Sequence, residues 1–130
     1  MSPTERFPPD DPREWLNRAR SNLALARSRA PGAYPEDLCF EAQQAAEKAI
    51  KSILIARGID FPYVHDLTRL VSLLEEAGED VPDTVFKAGE LTPYALLTRY
   101  PGPVRAVTTA EYEAALEIAE AVVEWAAARS

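Results

Sequence analysis

The chain has 130 residues and a mass of 14.3 kDa, enough for one sizeable core and too little for two joined by a linker. Hydrophobic residues make up 47% and charged residues 27%, which is globular rather than disordered composition. A net charge of −7 excludes a surface that grips nucleic acid all over, though not a local basic patch, and no DNA partner is expected. The single cysteine, Cys39, excludes an internal disulfide and a cysteine-rich zinc site, and suits a reducing compartment. The single histidine, His65, excludes a two-histidine metal pair, and no metal or cofactor is expected. No apolar run approaches the roughly 20 residues that span a bilayer, and MSPTERFPPDD has no signal-peptide core, so a cytoplasmic location is expected.

Twenty-two alanines favour helices over strands, and the eleven prolines fall in clusters that mark joints. Residues 1–10 read as a flexible tail ahead of one helical domain over 11–130. The first helix starts at Asp11, with Pro12 at its first position and Glu14 completing a capping-box pattern. Trp15, Leu16, Ala19, Leu23, Ala26 and Ala30 form its inward stripe, and Pro31-Gly32 ends it. The second helix runs from about Pro35 to Arg57 and stops at Gly58. It carries a wide apolar face at 38, 42, 45, 46, 49, 50, 53 and 54, whose small members allow close helix approach. A third helix spans about Asp66 to Ala77. The fourth segment, about Asp83 to Thr98, is split or kinked by Gly89 and Pro93. A loop over 99–107 leads to the last helix, which opens with the capping box Thr108-x-x-Glu111 and runs to about Arg129. The expected fold is all-α, an antiparallel bundle of four main helices plus a short or broken fifth.

The run FEAQQAAEKAIKSIL at 40–54 is followed by His65-Asp66-Leu67 and then by Leu97-Thr98-Arg99-Tyr100-Pro101. With the opening Glu14-Trp15-Leu16-x-x-Ala19, this ordered set resembles the HEPN domain family over roughly residues 11–128. The resemblance implies a helical bundle, often dimeric and often encoded beside a small nucleotidyltransferase. It implies either a metal-independent RNase of toxin–antitoxin or defence systems, or a non-catalytic protein that binds nucleotides or regulates a partner. The RNase members carry Arg, four to six residues, then His near the start of the final helix. Here that motif is absent: Arg57 lies eight positions before His65, and no histidine follows Arg99 or Arg105. An imidazole to move protons and a guanidinium to hold phosphate would have to meet in space, as His65 with Arg99.

Each candidate residue has a functional and a structural reading. His65 is a general acid or base in a cleft, or a helix-start residue bonded to backbone or to a neighbouring helix. Gln43, Gln44, Glu47 and Lys51 share a polar strip of the second helix, with Lys48 beside them. That strip lines a cleft or dimer seam, or is a solvated face holding ordinary pairs such as Glu47–Lys51. Arg99 and Tyr100 contact phosphate and stack on a base, or plug the structure. Antiparallel packing of consecutive helices is expected to bring the Arg99 loop beside His65, with Asp66 as a partner for the guanidinium. The arginines of the first helix form a phosphate or RNA track, or pair with acids such as Glu113, Glu117, Glu120 and Glu124 of the last helix. Cys39 reads as packing.

The function read from these residues is a HEPN protein that serves as a nucleotide-binding or regulatory partner of a minimal nucleotidyltransferase in a toxin–antitoxin-like pair. The alternatives are an RNase toxin with a rearranged His65/Arg99 centre and a non-catalytic dimeric scaffold. The apolar surplus on the second helix points to a homodimer.

Overall fold

The computed structural model describes residues 5–97 and 106–130. The first helix, α1, spans Pro12–Arg27. Asp11 caps it by accepting from the Arg13 backbone N–H at 2.9 Å, and Pro12 needs no partner at the first helical position. Glu14 does not complete the expected capping box. Its buried carboxylate accepts from the Phe7 backbone N–H at 3.0 Å and from Arg18 Nε at 2.8 Å. The segment before the helix lies along it through two further bonds, Trp15 Nε1 to the Pro9 carbonyl and Asn17 Nδ2 to the Glu5 carbonyl, both 2.8 Å.

Helix α2 spans Pro35–Ala56 and α3 spans Leu67–Glu76. Both end the same way. Gly58 and Gly78 take the left-handed conformation, at φ +68° and +91°, that side chains with a Cβ resist. Each turn is then closed by two backbone bonds: Gly58 to Ile55 and Ile59 to Leu54 after α2, Gly78 to Glu75 and Glu79 to Leu74 after α3. Asp66 caps α3 from the Thr68 and Arg69 N–H groups. The fourth segment is broken into α4 (Asp83–Phe86), a 3₁₀ turn over Lys87–Leu91, and α5 (Tyr94–Leu97). Pro93 lacks an N–H and cannot extend the turn before it. The last helix, α6, spans Thr109–Arg129 and starts with the predicted reciprocal capping box between Thr108 and Glu111. Among the described residues the structure is wholly helical.

Helix α2 is the axis of the bundle. It packs chiefly against α1 and α6, with α3, α5 and the 3₁₀ turn on its remaining sides. Ala19 and Ala26 of α1, Ala42, Ala45, Ala46 and Ala49 of α2, and Ala119 and Ala126 of α6 are all fully buried. These small side chains let the three long helices approach closely, while Ile50, Ile53, Leu54, Leu67, Leu70 and Leu74 fill the wider part. Of the eight apolar positions read from the sequence of α2, all are buried inside one chain except Leu38, which is half-buried; Phe40 and Ile55 of the same helix are also partly exposed.

Polar contacts lock the far end of α1 to α6. Arg27 pairs with Glu120 at 2.7 Å and Arg29 with Glu113 at 2.6 Å, so these two arginines take the pairing alternative. Between them the buried Tyr112 hydroxyl donates to the Ala26 carbonyl in the last turn of α1. Tyr112→Phe leaves that carbonyl without its donor, and is expected to cost about 1–2 kcal/mol in urea denaturation while the helical signal is unchanged.

Candidate ligand-binding site

Positions 43, 47 and 51 recur at one helical turn each, so Gln43, Glu47 and Lys51 form a stripe along α2. All three are buried, at 0%, 4% and 4% exposure. The Glu47–Lys51 pair read from the sequence forms, with Nζ 2.9 Å from Oε2, but inside the protein rather than on a solvated face. A buried pair of this kind requires further hydrogen bonds, and Glu47 has them. Its Oε1 accepts from Gln43 Nε2 and pairs with His65 Nδ1, both at 2.9 Å. Gln43 is satisfied in turn, its Oε1 accepting from Gln44 Nε2 at 2.6 Å.

The loop from 57 to 66 completes the site. It returns from the end of α2 alongside that helix and delivers Phe61, Tyr63 and His65. The Lys51 ammonium lies 5.6 Å from the Phe61 ring, 5.5 Å from Tyr63 and 5.9 Å from Trp15 of α1. Three π faces and one carboxylate thus surround a single buried cation. Tyr63 itself is 96% exposed. A carboxylate accepts but cannot donate, so His65 presents Nδ1–H to Glu47 and, when neutral, carries its lone pair on Nε2. The His65 side chain is 44% exposed.

These contacts set the charges. Burial alone would raise the Glu47 carboxyl above the ordinary carboxylate range, but hydrogen bonds from Lys51, Gln43 and His65 more than offset it, and its pKa is lowered. Lys48 is half-buried, and its pKa is lowered by desolvation, with the cations Arg18 and Lys51 adding to it and Glu41 and Glu47 opposing. Lys48 Nζ donates to Asn22 Oδ1 at 2.8 Å, and Asn22 Nδ2 donates to Glu41 at 2.7 Å. Burial pushes the Cys39 thiol up to about 11, which makes it packing rather than a nucleophile.

The structure therefore brings Gln44, Glu47, Lys51 and His65 into one network, with Lys48 on the adjoining strip of α2. Asp66 is engaged as the cap of α3 instead. The expected meeting of His65 with Arg99, and the role of Tyr100, fall on positions outside the described residues. Trp15, Phe61 and Tyr63 belong to the site although sequence reasoning did not place them there; the aromatic pair flanking Pro62, just before His65, is the signal that was available. Among the described residues no cluster of His, Cys, Asp and Glu could hold a metal ion, and no helix is long and apolar enough to cross a membrane.

Comparison with known proteins places this geometry in a family. No curated protein matches the chain. The crystal structure of TT1696 from Thermus thermophilus is similar over 92% of this chain and 98% of that one, with 35% identity and a TM-score of 0.78. The crystal structure of ST0689, an archaeal HEPN homologue, is similar over 92% and 97%, with 25% identity and a TM-score of 0.71. The family model described as the HEPN domain matches residues 12–129, nearly the whole described bundle, and the chain belongs to the HEPN domain family.

Proposed function

We propose that this HEPN protein acts by binding rather than by hydrolysis, as the nucleotide-binding or regulatory partner of a minimal nucleotidyltransferase in a toxin–antitoxin-like pair. The observation that supports this reading is the engagement of Lys51. It is the cation that the described residues bond into the His65 cluster, and it is neutralised by Glu47 and walled in by three rings. Held there, it is poorly placed to grip a scissile phosphate, whereas the exposed Tyr63 ring and the half-exposed His65 offer a surface for a base or a partner side chain. Purified protein incubated with RNA is expected to leave it intact, with and without His65→Ala, and to co-elute with a small nucleotidyltransferase encoded beside it.

One observation favours the second reading, an RNase centre. A carboxylate that orients the imidazole through Nδ1 leaves Nε2 as the proton-transferring atom, the arrangement that hydrolytic sites use. RNA cleavage that disappears in His65→Ala would establish it in place of the first.

The proposed assembly is a homodimer. Leu25, Leu96 and Tyr63 are large side chains that the single chain leaves exposed, and Leu38, Phe40 and Ile55 of α2 are partly exposed, so apolar surface is available for it. Sedimentation equilibrium is expected to give twice the 14.3 kDa chain mass; the single-chain mass at every concentration would sink the dimer.

A further inference from the structure

A groove of about 690 Å³ runs along the outer side of α1, within the range of roughly 300–1,000 Å³ usual for small-molecule sites. Asn17, Ser21 and Ala24 of its lining share one face of α1 by helical register, with Arg20 to one side of that face and Arg18 and Asn22 to the other; Lys48 of α2 and Arg6 of the N-terminal segment that lies along the helix also line it. Four cations thus face one opening in a protein of net charge −7.

Among the described residues the only carboxylate in the lining is Glu14. It is buried, and its charge is already met by the Arg18 guanidinium, which donates through Nε at 2.8 Å, and by the Phe7 backbone N–H at 3.0 Å. Lys48 bonds a neutral amide, Asn22, rather than a carboxylate. Arg6 and Arg20 make no ion pair among the described residues.

We propose that this groove is an oligophosphate site, which takes two or three linked phosphates and does not read a base. Two observations limit the ligand to a short one. The arginines on either side are already engaged: Arg13 with Asp11, Arg27 with Glu120 and Arg29 with Glu113. Arg6 and Arg20, which make no ion pair among the described residues, and Lys48, bonded to an amide, therefore form a local set rather than a track for a nucleic-acid strand, with Arg18 shared with Glu14. Among the described residues no aromatic lines the groove, so they offer no ring there on which a base could stack. The ligand is a nucleoside di- or triphosphate gripped by its phosphates, or an inorganic oligophosphate of the same length. The inference rests on the binding reading above only for the first of these sources.

Calorimetric titration of the full chain with inorganic triphosphate tests the groove without any nucleotide or partner protein. Saturable binding is expected, with ATP and GTP equal to each other and AMP at least about tenfold weaker. Triphosphate binding with no gain from the nucleoside identifies the inorganic source; tighter but equal ATP and GTP binding identifies the nucleotide. Arg20→Gln, at an exposed position with no ion pair among the described residues, is expected to weaken triphosphate binding about tenfold with unchanged thermal stability. Arg27→Gln and His65→Ala are expected to leave it unchanged. The proposal is overturned by absent triphosphate binding, by discrimination between ATP and GTP, or by a null effect of Arg20→Gln. A loss on Arg27→Gln equal to that on Arg20→Gln overturns it by revealing a strand-length track, and an equal loss on His65→Ala by moving the phosphates to the α2 cluster. Each of these outcomes leaves the RNA and partner assays of the proposed function standing or falling on their own.

Discussion

Glu47→Ala is expected to cost about 3–5 kcal/mol of folding stability, because it strands the Lys51 ammonium in the interior. Lys51 is 4% exposed, and the carboxylate of Glu47 is its sole anionic partner among the described residues. The same change removes the acceptor of Gln43 Nε2 and of His65 Nδ1, so a second buried donor is left unpaired. The three aromatic rings around Lys51 partly compensate for the lost charge, at about 0.5–2 kcal/mol per well-placed cation–π contact, but they cannot accept its hydrogen bond. The paired change Glu47→Leu with Lys51→Met removes both charges together, and is expected to be near neutral by comparison. Urea denaturation of the two variants gives the contrast directly. If Glu47→Ala alone falls within about 1 kcal/mol of the wild type, the pair is solvated and the cluster is a surface feature after all.

The same carboxylate sets an acid limb on stability. In the unfolded chain it titrates near its ordinary value of 4.5, and in the fold it titrates lower. A depressed folded pKa means that the contribution is fully present above the unfolded value. It drains as pH falls through 4.5 toward the folded value and is gone below that. Glu47→Gln removes this group from the acid limb, so its stability relative to wild type should improve as the pH is lowered through that window.

The bundle was legible from the sequence because its signals are local. Helix ends rest on Asp11-Pro12, Gly58, Asp66, Gly78 and Thr108-x-x-Glu111, each of which acts within a turn of its own position, and each sits at the expected boundary. The broken fourth segment followed from Pro93 and Gly89 for the same reason. What required the fold was the environment of the polar residues. The spacing of Gln43, Glu47 and Lys51 says that they share a face, and says nothing of whether that face meets water. The loop carrying Phe61, Tyr63 and His65 decides that question, and no periodicity in α2 foretells it. Glu14 misled for a related reason: a residue three positions after a cap satisfies the capping pattern, yet the chain before α1 folded back and offered the Phe7 N–H instead. The basic groove was half visible. The arginines were conspicuous in the sequence, but which of them α6 would neutralise depended on the packing of two helices more than eighty residues apart.

That packing is what Ile50→Ala probes, with an expected loss of about 2–5 kcal/mol. Ile50 is fully buried and is among the largest such side chains in the core, on the helix that α1, α6 and α3 all contact. Its neighbours along α2 are Ala46, Ala49, Ile53 and Leu54, and the buried positions of α1 and α6 include Ala19, Ala26, Ala115, Ala119 and Ala126 among larger side chains. Alanine has no rotamer with which to close a gap, so these positions cannot fill the cavity left by three missing carbons, and the loss depends on how far the larger neighbours and the helices themselves can move. Ile50→Val removes one carbon from the same place and is expected to cost about 0.5–1.5 kcal/mol. The ratio of the two losses in urea denaturation reports how rigidly α1 and α6 hold their distance from α2. A loss for Ile50→Ala no larger than that for Ile50→Val would mean that the outer helices collapse onto the vacated space. The close alanine contacts along α1, α2 and α6 would then be adaptable, and the Arg27–Glu120 and Arg29–Glu113 pairs that join α1 to α6 would have to shift with them.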